Sequence, residues 1–103
     1  MATQSDAFKT AVEDSKKLTK KPSDDQLLKL YALYKVGLGE DFSAASAPGA
    51  FDFKGKYKYR AWKEVVEEGI SAETAQERYV ALVEELKAEL GYDATKEPEA
   101  VGK

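Results

Sequence analysis

Three prolines, Pro22, Pro48 and Pro98, divide the chain, and none falls inside the long stretches between them. Proline in a helix interior removes a hydrogen bond and costs about 3 kcal/mol, so those stretches are free to be helical. Their apolar residues recur with helical period. In the first, Phe8, Ala11, Val12, Ser15 and Leu18 form a stripe of apolar and small groups. This predicts a helix from about Asp6 to Leu18, with Lys9, Glu13, Asp14 and Lys17 facing out. The run Lys20-Lys21-Pro22 ends it.

The second stretch opens on Ser23-Asp24-Asp25-Gln26, the pattern of a reciprocal capping box, with two acids suited to the positive end of the helix dipole. That helix is predicted to reach about Leu38 and stop near Gly39. It carries two stripes, Leu27, Tyr31, Tyr34 and Leu38 on one face and Leu30, Leu33 and Gly37 on the next. A helix with two useful faces sits centrally in a bundle or lines a site. From Glu40 to about Gly55 the chain reads as a long loop with a Pro48-Gly49 turn, a length associated with function. A third helix is predicted over about Lys56 to Glu67, with Tyr59, Trp62 and Val66 on one side and Ala61 and Val65 beside them, closed by Gly69. Ser71 is the expected N-cap of a fourth, where Ala75, Tyr79, Leu82, Val83, Leu86 and Leu90 keep the period as far as Gly91. The expected architecture is an all-α four-helix bundle spanning residues 1–91. The polar, unpatterned residues 92–103 are expected to be a frayed tail.

Composition narrows the chemistry. The 103 residues include no cysteine and no histidine, which removes thiolate nucleophiles, disulfides, and the commonest general base and metal ligand. Sixteen basic and nineteen acidic-side residues give a net charge of −3, the wrong sign for a protein that binds nucleic acid by counterion release. Carboxylates such as Glu67-Glu68 and Glu84-Glu85 read as solvated faces, and Gly37-Leu38-Gly39 is no dinucleotide fingerprint. No catalytic residue, metal site or cofactor is expected. There is no secretory signal pattern and no long apolar run, so the expectation is a soluble, monomeric cytoplasmic protein.

The informative constellation is basic and aromatic. Tyr31, Tyr34 and Lys35 share one face of the second helix. Lys54 and Lys58 stand four apart at the start of the third, where free amides favour an anion. Lys16 and Tyr79 come from the first and fourth helices. An aromatic shelf bordered by ammonium groups suits a nucleotide carrying phosphates. Tyrosines at helical spacing are also common core residues, and periodicity alone does not separate the two.

The segment Lys21 to Glu40, KPSDDQLLKLYALYKVGLGE, is followed by Pro48-Gly49, by FDFKGKYKYRAWKEV from Phe51 to Val65, and by AQERYVALVEEL from Ala75 to Leu86. These motifs, in this order, resemble the acyl-CoA-binding protein family from Phe8 to about Leu90. The resemblance implies a four-helix bundle that binds medium- and long-chain acyl-CoA esters without catalysis. It would place Tyr31 against adenine, and Lys35 and Lys58 with the Tyr31 hydroxyl at the 3′-phosphate. Lys16 and Lys54 would assist, Tyr79 would line the site, and Tyr34 and the backbone at Ala32 and Leu33 would complete it. By extrapolation, Phe8, Ala11, Val12, Leu27 and Leu28 would form the acyl-chain groove. The chain departs from the family after Lys35, at Tyr59 where tryptophan is frequent, and in a longer connection from Trp62 to Gly69.

Two classes of function therefore compete, an intracellular acyl-CoA carrier and a helical interaction module that kept the fold without the ligand. The retained set Tyr31, Lys35, Lys54, Lys58 and Tyr79 favours the carrier. Membranes or acyl-CoA-using enzymes are expected as transient partners, and nucleic acid is not.

Overall fold

The computed structural model describes residues 3–95. Four helices follow in order: α1 (Asp6–Ser15), α2 (Asp24–Gly37), α3 (Phe53–Glu67) and α4 (Ala72–Leu90), with a 3-10 turn at Phe42–Ala44. Each helix begins on a side chain that accepts a hydrogen bond from a first-turn amide: Ser5, Ser23, Asp52 and Ser71. The capping box on α2 is complete, Ser23 N donating to Gln26 Oε1 at 2.8 Å and Gln26 N to Ser23 Oγ at 3.2 Å. At the far end of α3, Gly69 takes φ +71°, a left-handed turn that a β-carbon would strain.

The helices pack in a row, α1 against α4, α4 against α2, and α2 against α3. The molecule measures 37 × 31 × 19 Å, thin across the row. The two apolar stripes of α2 explain its central place: it has a neighbour on either side. Phe8, Leu30, Leu33, Val65, Val83 and Leu86 are essentially fully buried. Phe8 reaches α2 because Gly37 has no side chain; a β-carbon there would lie 3.1 Å from the Phe8 ring. The same ring meets Tyr79 edge-on, with centroids 5.2 Å apart.

Several boundaries and orientations differ from expectation. Helix α1 ends at Ser15, three residues early, because the Lys16 and Lys17 amides turn back to the Glu13 and Asp14 carbonyls at 3.1 and 2.9 Å. Leu18 is nonetheless buried, in an isolated antiparallel bridge to Tyr92. Helix α3 starts three residues early, at Phe53, because Asp52 caps it through the Gly55 amide at 2.9 Å. Val66, expected on the packed side, is exposed, and Val65 takes the core position. Asp14, expected in solvent, is buried and bound by Lys87 and by the Tyr92 hydroxyl, the latter at 2.9 Å. That contact and the Asp93 amide on the Lys17 carbonyl (3.1 Å) hold the first tail residues down. The rest of the expected tail, residues 96–103, lies outside the described residues.

Candidate functional site

Helices α2 and α3 bring two lysines to one tyrosine. Tyr31 on α2 is half-buried; Lys58 Nζ from α3 lies 5.3 Å from its ring centroid, and Lys35 Nζ, one turn along α2, lies 5.6 Å from it. Lys35 also sits 5.4 Å from the centre of the Trp62 ring. Two ammonium groups thus lie within about 6 Å of the centre of one aromatic ring, an arrangement that attracts an anion bearing a flat ring.

The two lysines differ electrically. Lys58 has its pKa lowered, first by burial and then by repulsion from Lys54 and Lys35, which Asp52 offsets only in part. Among the described residues no carboxylate pairs with it. Burial works hardest on Lys35, to lower it, but its hydrogen bond to Glu40 together with charge interactions from Tyr31, Glu40 and Tyr34 outweighs this, and the net shift is upward. That bond is an ion pair of 2.9 Å, half-shielded from solvent on both sides.

Neither Glu40 nor Phe42 was foreseen as part of the site. Glu40 returns to Lys35 because the chain reverses just after α2, its amide donating to the Lys35 carbonyl at 3.2 Å. Phe42 packs from the 3-10 turn onto α3, with ring centroids 4.8 Å from Tyr59 and 4.9 Å from Trp62. The available signal was a large aromatic, Phe42, in the first, small and polar part of the loop, two places after Glu40.

Beside Lys58 runs a groove of about 390 Å³ between α2 and α3, lined by Lys54, Tyr57 and Lys58 from α3 and by Asp24, Asp25, Leu27 and Leu28 from α2. A smaller hollow of about 230 Å³ continues from Leu28 and Tyr57 toward Arg60 and Glu64. An apolar lining beside a cationic shelf accommodates a molecule with an alkyl part and an anionic part.

The remaining candidates lie elsewhere. Phe8 and Ala11 are buried among α1, α2 and α4, where they are part of the core. Val12 is half-buried against the same core. Tyr79 is also buried, its hydroxyl donating to Ser15 Oγ at 3.2 Å, and burial raises its pKa. Tyr34 is half-buried, its ring 6.0 Å from Phe8 and 6.3 Å from Tyr79. Ala32 and Leu33 turn their side chains into the core. Lys16 closes α1, a helix that packs on α4 rather than α3. Among the described residues no acidic cluster could hold a metal ion, and no helix is long and apolar enough to cross a membrane.

A thin all-helical domain with an aromatic shelf, paired cations and an adjoining apolar groove defines a small binding protein for an amphipathic anion. The chain belongs to the acyl-CoA-binding protein family, whose model, described as "Acyl CoA binding protein", matches residues 5–83. It is 48% identical over 85 residues to acyl-CoA-binding protein homolog 1 of Caenorhabditis elegans, covering 82% of this chain and 95% of the relative. It is 46% identical over 84 residues to the Drosophila melanogaster acyl-CoA-binding protein homolog, covering 82% and 94%. The crystal structure of Oryza sativa acyl-CoA-binding protein 2 superposes with a TM-score of 0.72 at 36% identity, over 81% of this chain and 87% of that one.

Proposed function

We propose that the chain binds medium- and long-chain acyl-CoA esters and serves as an intracellular carrier that buffers, protects and delivers them. The observation that carries this reading is the convergence of the Lys35 and Lys58 ammonium groups, supplied by two different helices, on the Tyr31 ring. Adenine stacks on Tyr31, and Lys35 and Lys58 take the 3′-phosphate. Lys54, lining the groove, faces the remaining phosphates, and Leu27 and Leu28 receive the start of the alkyl chain. Burial of that chain supplies about 0.8 kcal/mol per CH₂ before ordering costs. The net charge of −3 does not oppose binding, because at physiological salt charges beyond about 8 Å are screened.

The protein acts without catalysis, cofactor or metal, as a cytoplasmic monomer in transient contact with acyl-CoA-using enzymes or membranes. Residues 1–91 form the binding domain, with Tyr92 and Asp93 anchoring the start of the segment that follows. Calorimetric titration with palmitoyl-CoA tests the reading. Saturable heat with one ester per chain, and a raised melting temperature, are expected; absence of both at saturating ester overturns it.

A further inference from the structure

Helix α3 opens with aromatic side chains that stand in solvent: Phe51 is 91% exposed and Phe53 64%. They flank the cap residue Asp52, whose amide donates to the Gly49 carbonyl at 3.1 Å and whose carboxylate accepts from Gly55 N. The two rings are therefore mounted on a hydrogen-bonded turn. Lys56 braces it, Nζ donating to the Ala50 carbonyl at 2.9 Å and lying 5.7 Å from the Phe53 ring centroid. An apolar residue just before a helix cap commonly packs on an apolar residue at the fourth helical position. Here that position is Lys56, so Phe51 has no such partner.

The surroundings select the occupant. Residues 50–60 carry three lysines and Arg60 against the single acid Asp52, within a chain of net charge −3. A second copy of this chain would set like charges against each other. A bilayer with anionic headgroups meets both features at once, accepting aromatic rings at the acyl boundary and cations above it. We propose that this turn and the first two turns of α3 are a docking patch for an anionic bilayer surface, with Phe51 and Phe53 entering the headgroup layer and Lys56 and Arg60 pairing with lipid anions. Tyr57, 57% exposed and four residues from Phe53, borders both patch and groove, so docking brings the groove edge to the lipid. The proposal deepens the carrier reading and rests on it for its purpose, but the two are measured separately.

Ligand-free protein is sedimented with vesicles of phosphatidylcholine alone, or of phosphatidylcholine and phosphatidylserine in a two-to-one ratio. Strong partition to the anionic vesicles is expected, with a loss of about tenfold or more on removing phosphatidylserine or on Phe51→Ser, and severalfold on Lys56→Gln. Palmitoyl-CoA affinity of the Phe51→Ser variant, its fold checked by circular dichroism, should stay within about twofold, since Phe51 has no place in the site. Equal partition of parent and both variants, or no partition of the parent, overturns the proposal. So does a self-associated species that Phe51→Ser disperses, which would assign the patch to a second copy. Absence of palmitoyl-CoA binding by the parent, with its vesicle binding intact, would instead strike the carrier reading alone.

Discussion

Lys35 carries Glu40 on its ammonium, at 2.9 Å, while Lys58 holds no such partner among the described residues. On the proposed reading, binding a phosphate at Lys35 would exchange one anion for another. An exposed to half-buried ion pair is worth about 0.2–1 kcal/mol, so Glu40→Gln should tighten palmitoyl-CoA binding by up to about fivefold. Lys35→Ala should cost about 1.5–3 kcal/mol, the range for a hydrogen bond to a charged group. With the 3′-dephospho ester both effects should shrink to well under half, read as a coupling energy by calorimetry. Equal effects on the two esters would move Lys35 away from that phosphate. Tyr31, Lys35 and Lys58 were legible in the sequence because helical spacing and family motifs locate them. Glu40 was not, since its position depends on a chain reversal that no periodicity encodes.

Among the elements, α4 ties α1 to α2 through one buried amide. Gln76 Nε2 donates to the Gly37 carbonyl at the end of α2 at 2.8 Å and to the Thr3 carbonyl at 2.9 Å, while its Oε1 accepts from Ser5 N, the cap of α1, at 3.0 Å. Gln76→Leu keeps the volume but strands these groups, and a buried unmet partner costs about 1–3 kcal/mol. A loss near 2–3 kcal/mol in urea unfolding is expected, with affinity for the ester little changed. A loss below about 0.5 kcal/mol would show that the three backbone groups find other partners. The four helices were readable from caps and stripes. The first turn of α3 was hidden because its apolar period begins only at Tyr59, leaving Asp52 and Gly55 as the sole marks of its start. Asp14 was misplaced because its partners Lys87 and Tyr92 are remote in sequence, and spacing within α1 says nothing of them.

For the whole molecule, the lack of histidine leaves few groups to titrate between about pH 5 and 9. Burial works to raise the Asp14 pKa, but hydrogen bonds from Lys87 and Tyr92 prevail and hold it below the ordinary carboxylate value. Its stabilisation is thus present above the unfolded value, about 3.9, and lost as pH falls through the lower folded value. Lys87 is raised, chiefly by its bond to Asp14, so its share is present below about 10.4 and lost as pH climbs through the higher folded value. Melting temperature should be flat across neutrality and fall at both extremes. Asp14→Asn should lower the plateau and weaken the acid limb; a parent transition centred near pH 7 would contradict this account. The row order has a further result. Among the described residues helix α3 packs on α2 and the 3-10 turn, with the exposed Arg78–Glu68 ion pair at its end, whereas α1 at the other end is fastened by Gln76 and Asp14. Amide hydrogens of α3 should therefore exchange through a local opening that leaves α2 and α4 protected. A ligand gripping Lys58 on α3 and Tyr31 on α2 should slow that exchange, so added palmitoyl-CoA should protect α3 amides more than those of α1.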